Sequence, residues 1–270
     1  MSDFKSLLKE LDLPRDFIFQ ISSLFISILI IHTIYLLFID PAASKEVIEA
    51  ANQNRAPERT LGVILKDFEQ EACIILFCWA MSIIFLKWQQ VSKQLAYLRD
   101  DFIDKLFLNK VNRDQAKDII TKIEEWDSNS SDTNLIADSL WSGLNSFIAT
   151  NDVLDAKNSC QSVCDNQAMR IESELSMIKY IIWAIPSVGF IGTVRGIGEA
   201  LSQAHIAVEG NIATMTASLG VAFNSTFVAL VVSIFLMFFL HQLQLLQDRL
   251  ITGANDRCHK KLLSRLSIEG

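Results

Sequence analysis

The feature that most constrains this chain is a run of 23 residues, Phe17 to Ile39, that contains no Asp, Glu, Lys or Arg. A helix rising about 1.5 Å per residue over that length crosses a hydrocarbon core of about 30 Å. Three further apolar runs follow: Ala72 to Leu86, Tyr180 to Leu201 and Ile212 to Leu240. Lipid offers a backbone no hydrogen-bond partner, so uninterrupted apolar runs read as helices that satisfy their own N–H and C=O groups. The first run is too long for the apolar region of a secretory signal, and no small-residue cleavage motif precedes the polar stretch after Asp40. The second run has 15 residues and is short for a span; Lys87 and Trp88 extend its end.

These runs predict an all-α membrane protein with four transmembrane helices, several of them extended into a cytoplasmic helical bundle. The expected order is an N-terminal cytoplasmic segment over 1–16, a first span over 17–39, a periplasmic loop over 40–71 and a second span over 72–88. A cytoplasmic helical domain over 89–176, a third span over 177–201, a periplasmic hairpin over 202–211, a fourth span over 212–241 and a cytoplasmic C-terminal helix over 242–270 complete it. In the large middle segment, Leu95, Leu98, Phe102 and Leu106, then Ile119, Ile120, Ile123 and Trp126, recur at helical spacing. Asp127 to Thr133 reads as a loop rich in capping residues, and Asn151 or Asp155 is expected to cap a later helix.

Basic residues near the span ends set the orientation. With the N-terminus inside, the inner flanks hold twelve Lys and Arg and the outer loops four. The expectation is N-in and C-in. The net charge of -7, with no basic stripe, argues against nucleic acid as a partner. Cys160 and Cys164 stand four apart without a second ligand pair, so ordinary thiols are expected and no metal site. There is no nucleophile–base pair and no phosphate-cradling glycine loop, so no enzyme is expected and no cofactor.

Six of the ten glycines fall between Gly189 and Gly220. Gly192 and Gly196 form a small-xxx-small pair, which lets helix backbones touch in lipid. Pro186 in the same span removes one backbone hydrogen bond. In the fourth span Asn224, Ser225 and Thr226 put three polar side chains mid-run. Such groups bond across helices, line a wet path, or bond only their own i-4 carbonyl. Arg195, late in the third span, is expected as an interface anchor or as a contact with a partner or a neighbouring subunit, and Glu199 stands four residues on, where it can pair with it. His32 and His241, near span ends, read as packing or interface residues, and Trp79, Trp88 and Trp183 as interfacial belts.

The segment IPSVGFIGTVRGIG, then a short hairpin, then a threonine-bearing apolar helix, resembles the MotA/TolQ/ExbB proton-channel family. The matching residues are Pro186, Gly189, Gly192, Thr193, Val194 and Gly196, with Ser225, Thr226, Ala229 and Leu230 in the fourth span. The four-span order resembles the MotA-like branch. The resemblance implies a pentamer of long helices in the bacterial inner membrane around a central pore. That pore holds two copies of a single-span MotB/TolR/ExbD-like partner, which supplies an ion-carrying aspartate. Thr193 and Thr226 match the family's pore hydroxyls, with Asn224 and Ser225 as further candidates for the ion path. Pro186, Gly189, Gly192 and Gly196 would pack or kink the helix at the pore. The transported ion would be H+, or alternatively Na+. Apart from Glu199 near the end of the third, no Asp or Glu lies in the four apolar runs, in keeping with a carboxylate brought by the partner.

Three positions depart from the family pattern: Val221 stands where some members carry glutamate, Ala229 replaces a glycine and Phe235 a proline. The driven process is left open among motility, outer-membrane energisation, gliding and phage defence. The competing reading is a non-conducting membrane scaffold or receptor whose glycines serve packing alone.

Overall fold

A computed structural model describes residues 15–53, 55, 57–99, 101–107, 110–128, 134–208, 210 and 212–266. Residues 1–14 of the expected N-terminal segment, 129–133 of the expected loop and 267–270 of the expected C-terminal helix lie outside them. In chain order the helices are α1 (Arg15–Ile34), a π turn (Tyr35–Ile39), α2 (Asp40–Asn52), α3 (Leu61–Leu65), α4 (Phe68–Leu98), α5 (Asp101–Leu106), α6 (Arg113–Ser128) and α7 (Leu135–Thr150). Then come α8 (Val153–Glu174), α9 (Ser176–Ser202), α10 (Ala204–Val208), α11 (Ala213–Arg257) and a second π turn (Cys258–Leu263). Among the described residues the one β pairing is an isolated bridge between Val111 and Leu266. Four helices are long and apolar enough to cross a membrane: Phe17–Ala50, Phe68–Leu98, Val153–Ser202 and Ala213–Leu263. The chain is a multi-pass, all-α membrane protein.

The helices run longer than the apolar cores that announce them. The first continues through Pro41 to Asn52, inside the segment expected as a loop. The π turn explains how. Asp40 N–H bonds Tyr35 O, five residues back. This widened turn relieves the clash of the Pro41 ring with the preceding turn and tolerates its missing N–H. The second span starts at Phe68, so Glu69 and Glu71 belong to it. The hairpin expected over 202–211 holds the short α10.

The chain divides into two compact units, 1–85 with 177–240, and 86–176 with 241–270. In the first, polar contacts link neighbouring helices. Trp79 Nε1 donates to Gln20 O at 2.8 Å, and His32 Nδ1 meets Glu71 Oε1 at 2.7 Å, so both tie α1 to α4. The Cys73 thiol reaches Ile185 O at 3.6 Å, from α4 to α9. Outward-facing Leu29, Phe38, Trp183 and Ile234 are exposed, as helices solvated by lipid require.

The second unit is a soluble-type helical core built on Ile103, Ile123, Ile136, Leu140, Leu144, Phe147 and Leu262. Trp126 stacks on Phe102 at 5.2 Å and meets Tyr97 edge-on at 5.8 Å, joining α6 to the end of α4 and to α5. The turn between α7 and α8 uses two residues for two jobs. Asn151 adopts the left-handed conformation that ends α7, which Asn tolerates better than most residues. Asp152, rather than the expected Asn151 or Asp155, caps α8 by accepting from Leu154 N at 2.7 Å. Lys87, almost fully buried, pairs with Glu174 at 2.8 Å. Cys160 and Cys164 sit in this core; the Cys160 thiol donates to Ser139 O at 3.2 Å, and burial pushes the Cys164 thiol up from its ordinary range. All five cysteines are free thiols.

Gly143 on α7 has no room for a side chain. A Cβ there meets the Cys160 sulfur, lies 3.0 Å from Leu262 Cδ2 and 3.3 Å from Ala156 O. Gly143→Val is expected to destabilise the second unit by about 1–3 kcal/mol through overpacking. Gly198→Ala, where a Cβ meets nothing within 4 Å, should leave stability unchanged or slightly raised. Thermal unfolding of the detergent-solubilised variants, followed by tryptophan fluorescence, checks both.

Candidate functional site

Gly189, Gly192 and Gly196 fall on one stripe of α9, three and four residues apart. Against them α11 sets another row of small residues, Ser218, Ala222, Ser225 and Ala229. A Cβ on Gly196 would stand 2.6 Å from the Ala222 nitrogen and 2.8 Å from Ser218 O. On Gly189 it would stand 2.5 Å from Ala229 Cβ, and on Gly192 it would overlap the Ser225 side chain. Backbone therefore lies on backbone, and only glycine permits it. The same geometry accounts for Ala229: Gly189 opposite leaves the space its methyl group fills. α9 stays helical through Pro186.

This approach brings two hydroxyls together. Thr193 Oγ1 and Thr226 Oγ1 hydrogen-bond each other directly across the seam. Thr193 Oγ1 also reaches Gly189 O and Ala222 O, each at 3.2 Å, and Thr226 Oγ1 reaches Ala222 O at 3.2 Å. Two hydroxyl protons thus face four acceptor oxygens. The proton arrangement can switch without moving a heavy atom, and lone pairs stay open to a water or a cation. Both threonines are half-buried, with one edge open at the surface of the helix pair.

Ser225 and Asn224, expected beside Thr226, sit elsewhere. Ser225 is fully buried against Gly192, and its hydroxyl donates to Val221 O at 2.8 Å. Asn224 lies two residues from Thr226, roughly 200° around the helix. Its Oδ1 accepts from Arg59 Nη2 at 2.9 Å. Helix geometry separates the three neighbours into three environments.

Behind the seam stands a charge cluster. Arg195 grips Glu69 with two hydrogen bonds, Nε to Oε1 at 2.7 Å and Nη2 to Oε2 at 2.9 Å. Its Nη1 donates to Glu199 at 3.0 Å, its Nη2 lies 3.6 Å from Asp67, and it sits over the Phe68 ring at 5.0 Å. Arg195, expected at an interface, is thus engaged inside its own protomer, and the pairing with Glu199 is one of three. Glu69 is fully buried, and its Cγ lies 3.2 Å from where a Gly192 Cβ would be. The clamp joins α4 to α9 at the level of the threonine seam. Burial raises the Asp67 carboxyl above the usual carboxylate range, against the pull of Lys66 and Arg195. Sequence reasoning missed Glu69, Asp67 and Arg59. The signal was available: a lone arginine late in the third span needs an acid at its own depth, and three acids precede or open the second span at that end.

Residues 131–255 match the family model described as the MotA/TolQ/ExbB proton channel family. This segment belongs to that family. No curated protein and no solved structure matches the chain. The MotA/TolQ/ExbB segment includes the glycine row, both threonines and Arg195, while Glu69, Asp67 and Arg59 lie before it. The family is one of channel and scaffold subunits, and among the described residues no group of three His, Cys, Asp or Glu forms a metal-binding cluster.

Two acids beside one arginine should answer mutation oppositely. Glu69→Gln leaves Arg195 short of its main counter-charge and should cost about 3 kcal/mol, the low end for breaking a buried pair, since Glu199 remains. Asp67 holds its proton more tightly folded than unfolded, so its contribution to stability is lost as pH rises above the ordinary carboxylate range. Asp67→Asn should therefore be neutral or stabilising near about pH 7 and lose that advantage near about pH 4. Melting midpoints of both variants at the two pH values provide the check.

Proposed function

We propose that this protein is the ion-conducting channel and scaffold subunit of an ion-motive-force-driven stator or energiser in the bacterial inner membrane. The paired hydroxyls of Thr193 and Thr226 carry this reading. They are polar and uncharged, they stay at the surface of a helix pair otherwise faced with apolar residues, and they lie in the segment that matches a proton-channel family. A hydroxyl accepts and donates without holding a charge at low dielectric, which suits it to solvating a passing proton or bonding a protonatable carboxylate. That carboxylate comes from a partner. Glu69 is the buried acid nearest the seam, and its two oxygens are committed to Arg195.

In this account the protomers assemble as a homopentamer around two copies of a single-span MotB/TolR/ExbD-like protein, with both termini in the cytoplasm. H+ is the transported ion, with Na+ as the alternative. Each charge crossing the membrane supplies roughly 2.3 kcal/mol per 100 mV, which relative motion of the two rings converts into work. A second reading, a non-conducting scaffold, draws support from one observation: the threonine hydroxyls already find protein acceptors and tighten the seam without any ion.

Flux separates the two. In proteoliposomes holding the full complex, Thr226→Ala and Thr193→Ala are each expected to lower ion uptake roughly 5- to 150-fold, the effect of removing a hydrogen-bonding group that has no replacement. Thr→Ser should retain most of it, and Ser225→Ala should change it less than about threefold, because that hydroxyl bonds its own helix. Absence of any partner-dependent uptake in the parent complex would favour the scaffold.

A further inference from the structure

At the loop end of the first unit, a cavity of about 370 Å³ opens between the segment Pro57 to Lys66 and the first turns of α11. Its lining includes Arg59, Val63, Lys66, Gly220, Phe223 and Asn224. Among the described residues no acidic side chain lines it, so two cations face an otherwise neutral, mostly apolar hollow. Among the described residues neither cation is in a salt bridge. Arg59 spends one Nη2 proton on the neutral Asn224, at 2.9 Å, and Lys66 acts electrostatically on its chain neighbour Asp67. Elsewhere in this unit the arrangement is different: Arg55 pairs with Glu46, and Arg195 with Glu69 and Glu199. Arg59 and Lys66 thus have counter-charge to take up at this cavity.

The surface beyond the cavity indicates what kind of anion fits. Phe227, Val231, Phe235 and Phe238 recur at helical spacing of four, four and three, in line with Gly220 and Asn224 on α11. Phe227, Phe235 and Phe238 are each more than half exposed. An apolar stripe that starts under two cations has the polarity of a lipid: anionic head above, acyl chain below. A soluble anion would need only the upper part. The stripe lies between about 100° and 180° from Thr226 around α11, so it is separate from the proposed ion path.

We propose that this cavity is a headgroup site for an anionic phospholipid, with the phosphate between Arg59 and Lys66 and one acyl chain along Phe227, Val231, Phe235 and Phe238. The site orders the segment Pro57 to Lys66 over the end of α11, and Arg59 holds it there by bonding Asn224. The inference rests on the chain spanning a membrane and not on ion conduction.

The test is lipid retention. The full-length protein is purified in mild detergent from membranes containing phosphatidylglycerol and phosphatidylethanolamine, and bound lipid is extracted and measured by mass spectrometry. The parent protein is expected to retain phosphatidylglycerol in preference to phosphatidylethanolamine. Arg59→Gln with Lys66→Gln should reduce that retention roughly thirtyfold, the loss expected on neutralising two basic side chains beside an anionic headgroup. Lys45→Gln with Lys117→Gln, an equal loss of charge away from the cavity, should leave it unchanged. Gly220→Phe keeps both cations, grows from a position where a Cβ meets nothing within 4 Å, and should displace the lipid by filling the hollow. Equal retention of both lipids, or retention unchanged by the double substitution, overturns the proposal. So does displacement by excess inorganic phosphate, which assigns the site to a free anion. A changed oligomeric state in Gly220→Phe with lipid content intact also overturns it and assigns the face to a second copy of the chain.

Discussion

The rest of the first unit depends on how closely α9 and α11 approach. Three glycines on one helix lie against Ser218, Ala222, Ser225 and Ala229 on the other, with only the small side chains of Ala222, Ser225 and Ala229 at the contact. In lipid no hydrophobic drive pushes helices together, so association rests on van der Waals contact over a matched surface and on the hydrogen bonds it permits. Closeness is what allows Thr193 to reach Ala222 O on the opposite helix and to bond Thr226. One added methyl group at Gly196 collides with backbone, which cannot move aside as a long side chain can. The hydroxyl pair is therefore a product of the glycine row and not an independent feature.

The seam is held from behind as well. Glu69 is fully buried beside Gly192, and taking a carboxylate out of water is expensive unless it is paired and hydrogen-bonded. Arg195 meets that requirement with two parallel bonds in the planar geometry that suits guanidinium and carboxylate. Such a pair is weak evidence of net stability. Its geometric consequence is firmer: a bidentate clamp between α4 and α9 fixes their relative depth and rotation, and so fixes where Gly192 presents itself to Ser225. Asp67, beside the same guanidinium but 3.6 Å away, receives less from it, and desolvation prevails there.

Much of this could be read from residue order alone. Four apolar runs announced four spans, because lipid leaves a backbone only its own helix, and the spacing of Gly189, Gly192 and Gly196 announced a packed face. The threonine pair followed from resemblance. What escaped has physical causes. Helix ends are set by caps and solvent as well as by apolar content, so α4 began four residues before its apolar core and brought Glu69 into the span. Hydropathy is blind to an ion pair between distant segments, so Arg195 looked like a residue in search of an interface. Asn224 and Ser225 stand beside Thr226 in sequence, but 100° per residue sends three consecutive side chains to three faces. The π turn at Tyr35–Ile39 follows from Pro41, but only once the helix is known to continue through it.

The central claim is that the edge of the Thr193–Thr226 seam faces water in the assembled complex. Substituted-cysteine accessibility measures that most directly. In membranes containing the full complex, with the five native cysteines replaced, Thr193→Cys and Thr226→Cys should react with a membrane-impermeant thiosulfonate, while Ser225→Cys, packed on Gly192, should stay protected. Labelling at the two threonine positions by lipid-soluble reagents alone would contradict the account.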